Sequence, residues 1–323
     1  MSFIVVTGGC GYVGSHVAKE LKQAGYSTIV IDRNAYKNPH THKWAGTLID
    51  TDFDSPRAFQ SMINLQPEAI IHCAANSLVG PSVKTPSVYY DNNVIATKKL
   101  LDFCVENKFN NFIFSSSSSV YGLNHVPPIT EDSNTKPLTA YGKSKLITDM
   151  MLEDYATAYG LKSMSFRYFN ACGADIDADL GQVKGATHLI ARIMESIHYD
   201  EDFEIYGDDY NTPDGTAIRD YTHVSDIAKA HVLGVEKLIK QKKNTHEIIN
   251  LGSGKGYSVL EIVNAIEEIF EEAIDYTVKP RRKGDPECVF ASNKKAKKLL
   301  NWSPKHDIYD IINSANNWYS KGD

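Results

Sequence analysis

Short apolar runs alternate with longer stretches of helical periodicity through the first half of the chain. Phe3-Ile4-Val5-Val6 is β-branched and ends in a glycine-rich turn, after which Val13, Val17, Leu21 and Ala24 recur at helical spacing up to Gly25. This predicts strand, turn and helix. Ser27 to Ile31 is a second strand closed by Asp32, and Thr47-Leu48-Ile49 is a third. A helix follows with Ser55 as its cap and Pro56 in the first turn, where a missing amide hydrogen costs nothing. Ala69 to Ala75 reads as a buried strand, about Asn92 to Asn107 as an apolar helix, and Asn111-Phe112-Ile113-Phe114 as the next strand. Strands that are apolar almost throughout, alternating with helices, predict an α/β fold with a doubly wound parallel sheet of the Rossmann kind.

The pattern loosens in the back third, which reads as a smaller α/β domain. Ala186 to Ile197 is periodic as a helix, Phe203 to Gly207 is a short strand, Val224 to Leu238 is helical, and Glu247 to Leu251 looks like a strand returning to the sheet. Ser258-Val259-Leu260-Glu261 is a capping box opening a helix with Val259, Ile262, Val263 and Ile266 on its inner face. The expected division is residues 1–169 for the Rossmann domain, with a return at about 218–252, and 170–323 for the second domain.

Composition narrows the function classes. A chain of 323 residues, 42% hydrophobic and 23% charged, is long enough for a large core and two domains. A net charge of −6 gives no electrostatic reason to expect nucleic acid or an anionic membrane. The five cysteines are scattered without a redox or zinc spacing, and no His-Glu-x-x-His occurs, so no metal centre is expected. No apolar run approaches the roughly 18–20 residues of a membrane span and no signal precedes the first strand, so a cytoplasmic protein is expected.

Two stretches hold candidate chemistry. Gly8, Gly11 and Gly14 lie three residues apart between the first strand and helix, the spacing that lets a backbone approach a pyrophosphate, and Asp32 closes the second strand eighteen residues later. An acid there accepts hydrogen bonds from adenosine ribose hydroxyls and disfavours a 2′-phosphate, which selects NAD; Arg33 is the residue that would admit NADP. Ligands on such sheets sit at the carboxyl ends of the strands. Asp32, Asp52-Phe53, Ala74-Ala75 and the run Ser115 to Ser119 all emerge there.

The second stretch is Tyr141-Gly142-Lys143-Ser144-Lys145, which places a phenol and an ammonium on one helix face. The Lys145 charge is expected to favour the Tyr141 phenolate. Bringing a tyrosine to neutrality takes a shift of about 3 units, or about 4 kcal/mol. One ammonium rarely supplies that, and the positive ring of an oxidised nicotinamide is the natural source of the rest. Ser117, at a strand end, is placed to donate to the substrate oxygen that the tyrosine deprotonates.

Thr-Gly-Gly-x-Gly-Tyr-Val-Gly at 7–14, Tyr90-Asp91-Asn92-Asn93-Val94, Phe114-Ser115-Ser116-Ser117 with Val120-Tyr121-Gly122, the Tyr141–Lys145 motif, Arg167-Tyr168-Phe169-Asn170 and Arg219-Asp220-Tyr221-x-His223-Val224-x-Asp226 together resemble the extended short-chain dehydrogenase/reductase family. Within it they are most similar to the UDP-hexose 4-epimerases, over essentially the whole chain. The resemblance implies an isomerase that interconverts UDP-glucose and UDP-galactose through a 4-keto sugar, with NAD retained and Tyr141, Lys145 and Ser117 catalytic. It implies a cofactor site of Gly8, Gly11, Tyr12, Val13, Gly14, Asp32, Arg33, Asn34, Asp52, Phe53, Cys73, Ala74, Ala75, Asn92, Ser115, Tyr141, Lys145 and Tyr168. It implies a substrate site of Ser117, Tyr141, Asn170, His188, Leu189, Tyr206, Arg219, Arg282, Asp285 and Val289.

Arg219 and Arg282 would clamp the diphosphate and Asp285 would hold a ribose. A homodimer through the helices near 92–107 and 143–158 is implied as well. Ser77 departs from the family, standing where a lysine is usual near the nicotinamide. The residue four beyond Asp285 walls the pocket at the sugar's 2-position; it is Val289, which leaves space for an N-acetyl group, unless a slip of one residue makes Cys288 face the pocket while Val289 merely packs in the core. A 4,6-dehydratase is disfavoured because Ser118-Ser119 stand where that reaction needs an acid pair. Other nucleotide-sugar 4-epimerases, acting on N-acetylhexosamines, uronates or pentoses, share the catalytic set. A non-catalytic dinucleotide sensor would need the glycines without Tyr141, Lys145 and Ser117.

Overall fold

The computed structural model describes residues 2–123, 125–282 and 284–322. The Rossmann half runs β1 (Phe3–Thr7), α1 (Tyr12–Gln23), β2 (Ser27–Asp32), β3 (Thr47–Asp50), α2 (Pro56–Leu65), β4 (Ala69–His72), α3 (Val79–Lys84), α4 (Pro86–Tyr90), α5 (Ala96–Glu106), β5 (Asn111–Ser117), α6 (Ala140–Tyr159) and β6 (Lys162–Tyr168). The chain then leaves through β7 (Asn170–Cys172), α7 (Leu189–Tyr199), β8 (Glu204–Tyr206), β9 (Ile218–Arg219) and β10 (Tyr221–His223). It returns with α8 (Val224–Lys240) and β11 (His246–Leu251), and finishes in β12 (Tyr257–Ser258), α9 (Val259–Phe270), β13 (Thr277–Lys279), β14 (Cys288–Val289), α10 (Lys294–Leu300) and α11 (Ile308–Ser320).

The expected parallel sheet is present, with seven strands in the order β11-β6-β5-β4-β1-β2-β3. β1 lies between β2 and β4, so the chain winds one way through β2 and β3 and the other way from β4 onward. The carboxyl ends of β1 and β4 therefore flank the switch point where such sheets bind ligands. Apolar side chains cover both faces: Val17, Leu21, Ile227 and Val235 of α1 and α8 on one side, Met62, Leu100 and Leu152 of α2, α5 and α6 on the other. A separate core of Ile193, Met194, Ile262, Ile266, Ile311 and Ile312 holds α7, α9 and α11 together. Ser258 and Glu261 form the expected capping box of α9. Among the described residues no helix is long and apolar enough to cross a membrane.

Several boundaries differ from the sequence expectation, β5 for one running on to Ser117, and three bear on the site or on contacts that periodicity does not encode. The helix expected from Asn92 begins as a π-helical turn over Asp91–Ile95 before α5. The helix expected from Ala186 begins at Leu189, because the Glu195 carboxylate takes the amides of Gly185 and Ala186 at 2.8 and 3.1 Å and holds them outside the helix. The strand expected to reach Ala75 stops at His72, where Cys73 to Ala75 turn across the first glycine of the turn after β1.

Candidate active site

Two of the three spaced glycines are sterically required. Gly8 has φ +69°, and a Cβ there would lie 2.6 Å from the Ala74 nitrogen; a Cβ on Gly14 would lie 2.1 Å from the Gly8 oxygen. Gly11 caps α1 in an extended conformation, and its Cβ would meet the Gly8 oxygen at 3.3 Å. The turn is thus drawn tight under the end of β4, and the first turn of α1 carries neither a side-chain cap nor an acid. Its free amides suit a pyrophosphate. The nearly buried Asp32 carboxylate accepts the Cys10 amide at 3.0 Å and the Asn34 amide at 2.7 Å, which fixes it while leaving lone pairs for ribose hydroxyls. Arg33 donates to Asp52 at 3.3 Å and to Asn76 at 3.0 Å. A 2′-phosphate would have to win the guanidinium from both, beside the Asp32 charge. These groups fit NAD.

The serine run emerges at the end of β5 directly beneath α6. Thr139 caps α6 by accepting the Gly142 amide at 3.2 Å. A Cβ on Gly142 would lie 2.6 Å from the Ser119 oxygen, so the glycine inside the Tyr-Gly-Lys stretch lets the helix lie against the run. Ser117 accepts the Ser119 amide at 3.2 Å, and its hydroxyl favours the Tyr141 phenolate. Lys145, 3% exposed, donates to the Ser115 carbonyl at 2.6 Å and lies 4.6 Å from the centre of the Phe114 ring.

Burial dominates the electrostatics of Tyr141 and Lys145. Burial pushes the Tyr141 phenol above its usual range, and the Ser117 hydroxyl offsets this only in part. The Lys145 ammonium, 5.8 Å from the Tyr141 ring centre and engaged with Ser115, leaves the phenol above its usual range. Burial lowers Lys145 itself to about 8. Making the phenolate near neutrality therefore needs a further positive charge, which the oxidised nicotinamide ring supplies when bound.

Cys73, Ser115 and Tyr168 converge at the ends of β4, β5 and β6. Ser115 Oγ donates to Cys73 Sγ at 3.1 Å and lies 2.8 Å from the Tyr168 hydroxyl. Tyr168 also lies 2.6 Å from His231 Nε2. His231 Nδ1 donates to the Ile227 carbonyl. Sequence reading missed Asn93. This buried residue bonds the Asn76 backbone through both amide atoms and donates to Ser144 Oγ at 3.1 Å, tying the π-turn to α6, while Asn92 merely donates to it. The Asn-Asn pair signals the place but not which member turns inward.

At the far end, Arg219 and Asp285 form an ion pair at 2.6 Å, and the Arg282 guanidinium stacks over Tyr206 at 3.8 Å. Asn170 donates to the Asp220 carbonyl at 2.7 Å. His188 is the exposed N-cap residue of α7 and Leu189 opens the helix. Lys283 of the basic turn lies outside the described residues. β14 pairs with β9 so that Val289 stands opposite Arg219 and Cys288 opposite Ile218. Val289 packs against the cluster of Val120, Tyr121, Ile129, Phe169 and Ala291. Ser77 is exposed in the loop after β4. Among the described residues the one group of acids close enough to share an ion is Asp175, Asp177 and Asp179, and the Lys19 ammonium pairs with all three.

Residues 4–252 match the model of the NAD dependent epimerase/dehydratase family. A UDP-glucose 4-epimerase of Corynebacterium glutamicum is 41% identical over 317 residues, covering 97% of this chain and 94% of its own. The crystal structure of UDP-glucose 4-epimerase from Brucella ovis in complex with NAD superposes with a TM-score of 0.93 at 40% identity, covering 99% of this chain and 98% of that one. That of UDP-glucose-4-epimerase from Stenotrophomonas maltophila, with bound NAD and formylated UDP-arabinopyranose, gives 0.93 at 34% identity and the same coverage. With its glycine turn, acid-closed second strand and serine–tyrosine–lysine row all placed on that fold, this chain belongs to the NAD dependent epimerase/dehydratase family.

Proposed function

We propose that the protein is an NAD-dependent 4-epimerase that interconverts UDP-glucose and UDP-galactose. The observation that carries this is buried Lys145 on α6, beside Tyr141 and bonded to the Ser115 carbonyl of the serine run, at the same carboxyl edge of the sheet as the glycine turn and Asp32. Full-length similarity to UDP-glucose 4-epimerases, two of them holding NAD, supports it.

Tyr141 as phenolate takes the proton from the sugar's 4-hydroxyl, and Ser117 holds that oxygen through its own hydroxyl. NAD, when bound, supplies a hydride acceptor at carbon 4 and then a donor. Lys145 keeps positive charge beside the phenolate, and the Ser115 carbonyl anchors its ammonium. The 4-keto sugar turns over while Arg219 and Arg282 keep hold of the diphosphate, and Tyr141 returns its proton to the new 4-oxygen. Net redox change is zero. Residues 1–169 with the return at 218–252 serve the cofactor, and 170–323 the UDP-hexose. Leu78, Val79, Val83, Val88, Ile95 and Met150 are exposed apolar residues on the layer built by α3, α4, the π-turn and α6, and this layer is the homodimer face in our reading. The five unpaired cysteines suit a cytoplasmic location.

Substrate breadth follows from Val289. In the β9–β14 pair Val289 stands opposite Arg219, on the face that carries the proposed diphosphate ligand, while Cys288 stands opposite Ile218, and this supports placing Val289 at the sugar; packing on the Val120–Phe169 cluster alone would suit a core residue equally. A valine there leaves room for an acetamido group, so UDP-N-acetylglucosamine and UDP-N-acetylgalactosamine are expected to be interconverted too. Val289→Tyr should suppress this while sparing UDP-galactose, by more than the roughly 10–200-fold that a methylene-sized difference gives. Comparing kcat/KM for both sugar pairs on the two proteins tests it. A parent enzyme that discriminates more than about a thousandfold against the N-acetylated pair removes the open-pocket reading and leaves the glucose/galactose reaction standing.

A further inference from the structure

Tyr141, Lys145 and Asp149 follow one another at four-residue spacing on α6, so one face of the helix presents a phenol, an ammonium and a carboxylate in successive turns. Asp149 is 2% exposed and belongs to neither the cofactor nor the substrate set. Its Oδ2 accepts from Ser116 Oγ at 3.1 Å and from Arg167 Nε and Nη2, both at 3.0 Å. Ser116 stands between Ser115, whose carbonyl takes the Lys145 ammonium, and Ser117, whose hydroxyl favours the Tyr141 phenolate. One carboxylate thus joins α6, the serine run and β6 immediately behind the reacting groups.

We infer that Asp149 is a positioning residue for the reaction: its carboxylate keeps the buried Lys145 ammonium charged, and Arg167 and Ser116 hold that carboxylate in place. The groups facing Lys145 leave no other candidate among the described residues. From β4 come His72 and Cys73; burial drops the imidazole to about 3 and raises the thiol to about 11, so both are neutral near pH 7. From β5 come the Phe114 ring and the Ser115 carbonyl. From α6 comes Tyr141, itself pushed up by burial. Against the desolvation of Lys145 stand Cys73, held neutral near pH 7 by its own burial, and Asp149, whose charge Arg167 also draws on, so Asp149 is the carboxylate that acts on Lys145. A buried ammonium with no counter-charge gives up its proton as pH rises.

The inference rests on the proposed epimerase mechanism, in which Lys145 works as the ammonium, and the test separates the two. In the holoenzyme, the pH profile of kcat should have an alkaline limb set by loss of the Lys145 proton. Asp149→Asn should move that limb to lower pH, by up to about 1–3 units, the range a nearby opposite charge commands. Asp149→Glu should restore it. Arg167→Gln should move the limb the other way, because the whole carboxylate then serves Lys145. Ser116→Ala, which leaves both charges in place, should move it down slightly and serves if the charge variants do not fold. Bound NAD content and melting temperature are followed alongside. A purely structural ion pair would lower melting temperature in both charge variants and leave the limb where it is, and that result overturns the inference. Loss of all dependence on Tyr141 would instead overturn the epimerase mechanism.

Discussion

Replacing Tyr141 with Phe should lower kcat by about 10²–10⁴-fold, the worth of a positioned general base, while UDP binds as tightly as to the parent. The ring's packing survives the change; only the hydroxyl beside Ser117 is lost. No other described group at the site can take over. Cys73 and Tyr168 both sit above their usual ranges because of burial, and His231, lowered to about 4, faces Tyr168 behind the strands. The measurement is kcat for UDP-galactose together with the Kd for UDP. A Phe variant within tenfold of the parent would remove Tyr141 from the mechanism.

Gly14→Ala should cost the protein its cofactor, whereas Gly11→Ala should leave the fold intact. The added methyl at Gly14 would sit 2.1 Å from the Gly8 oxygen and 2.9 Å from the Gly9 Cα, both backbone atoms, so the helix start has to move off the turn. Gly8 has little room to give way, because its φ is left-handed and the Ala74 backbone lies so close that even a methyl on Gly8 would have no space. Overpacking of this kind costs about 1–3 kcal/mol, and here the displaced group is the amide cradle itself. At Gly11 the methyl meets one atom at 3.3 Å, which a small relaxation relieves. NAD released on denaturing the desalted protein, together with the melting temperature, distinguishes the two. A Gly14→Ala protein that retains as much NAD as the parent would contradict the steric account.

What the sequence shows and what it hides divide along a physical line. The parallel sheet, the glycine turn, Asp32 and the capping box at Ser258 are local patterns, and periodicity and turn chemistry make each of them readable. The sign of the Tyr141 shift was not readable. Four-residue spacing reports that Lys145 is near, but not that burial dominates and that the ammonium is turned to the Ser115 carbonyl. The late start of α7 was likewise hidden, since it depends on Glu195 reaching back to amides nine and ten residues upstream. Gly142 looks like a filler residue in sequence, and only the approach of α6 to Ser119 explains it. Long-range contacts of this sort are what a single sequence does not encode legibly, and they cluster where the chemistry is.

In the proposed reaction hydride leaves carbon 4 and returns to the same carbon within one site. Protein freed of loose nucleotide and given UDP-galactose deuterated at carbon 4, with no cofactor added, tests it in one experiment. The account predicts UDP-glucose that still carries the deuterium at carbon 4, no loss of label to water, and no accumulation of reduced cofactor. Washout of the label to solvent, or conversion only as added NAD is consumed, would contradict it.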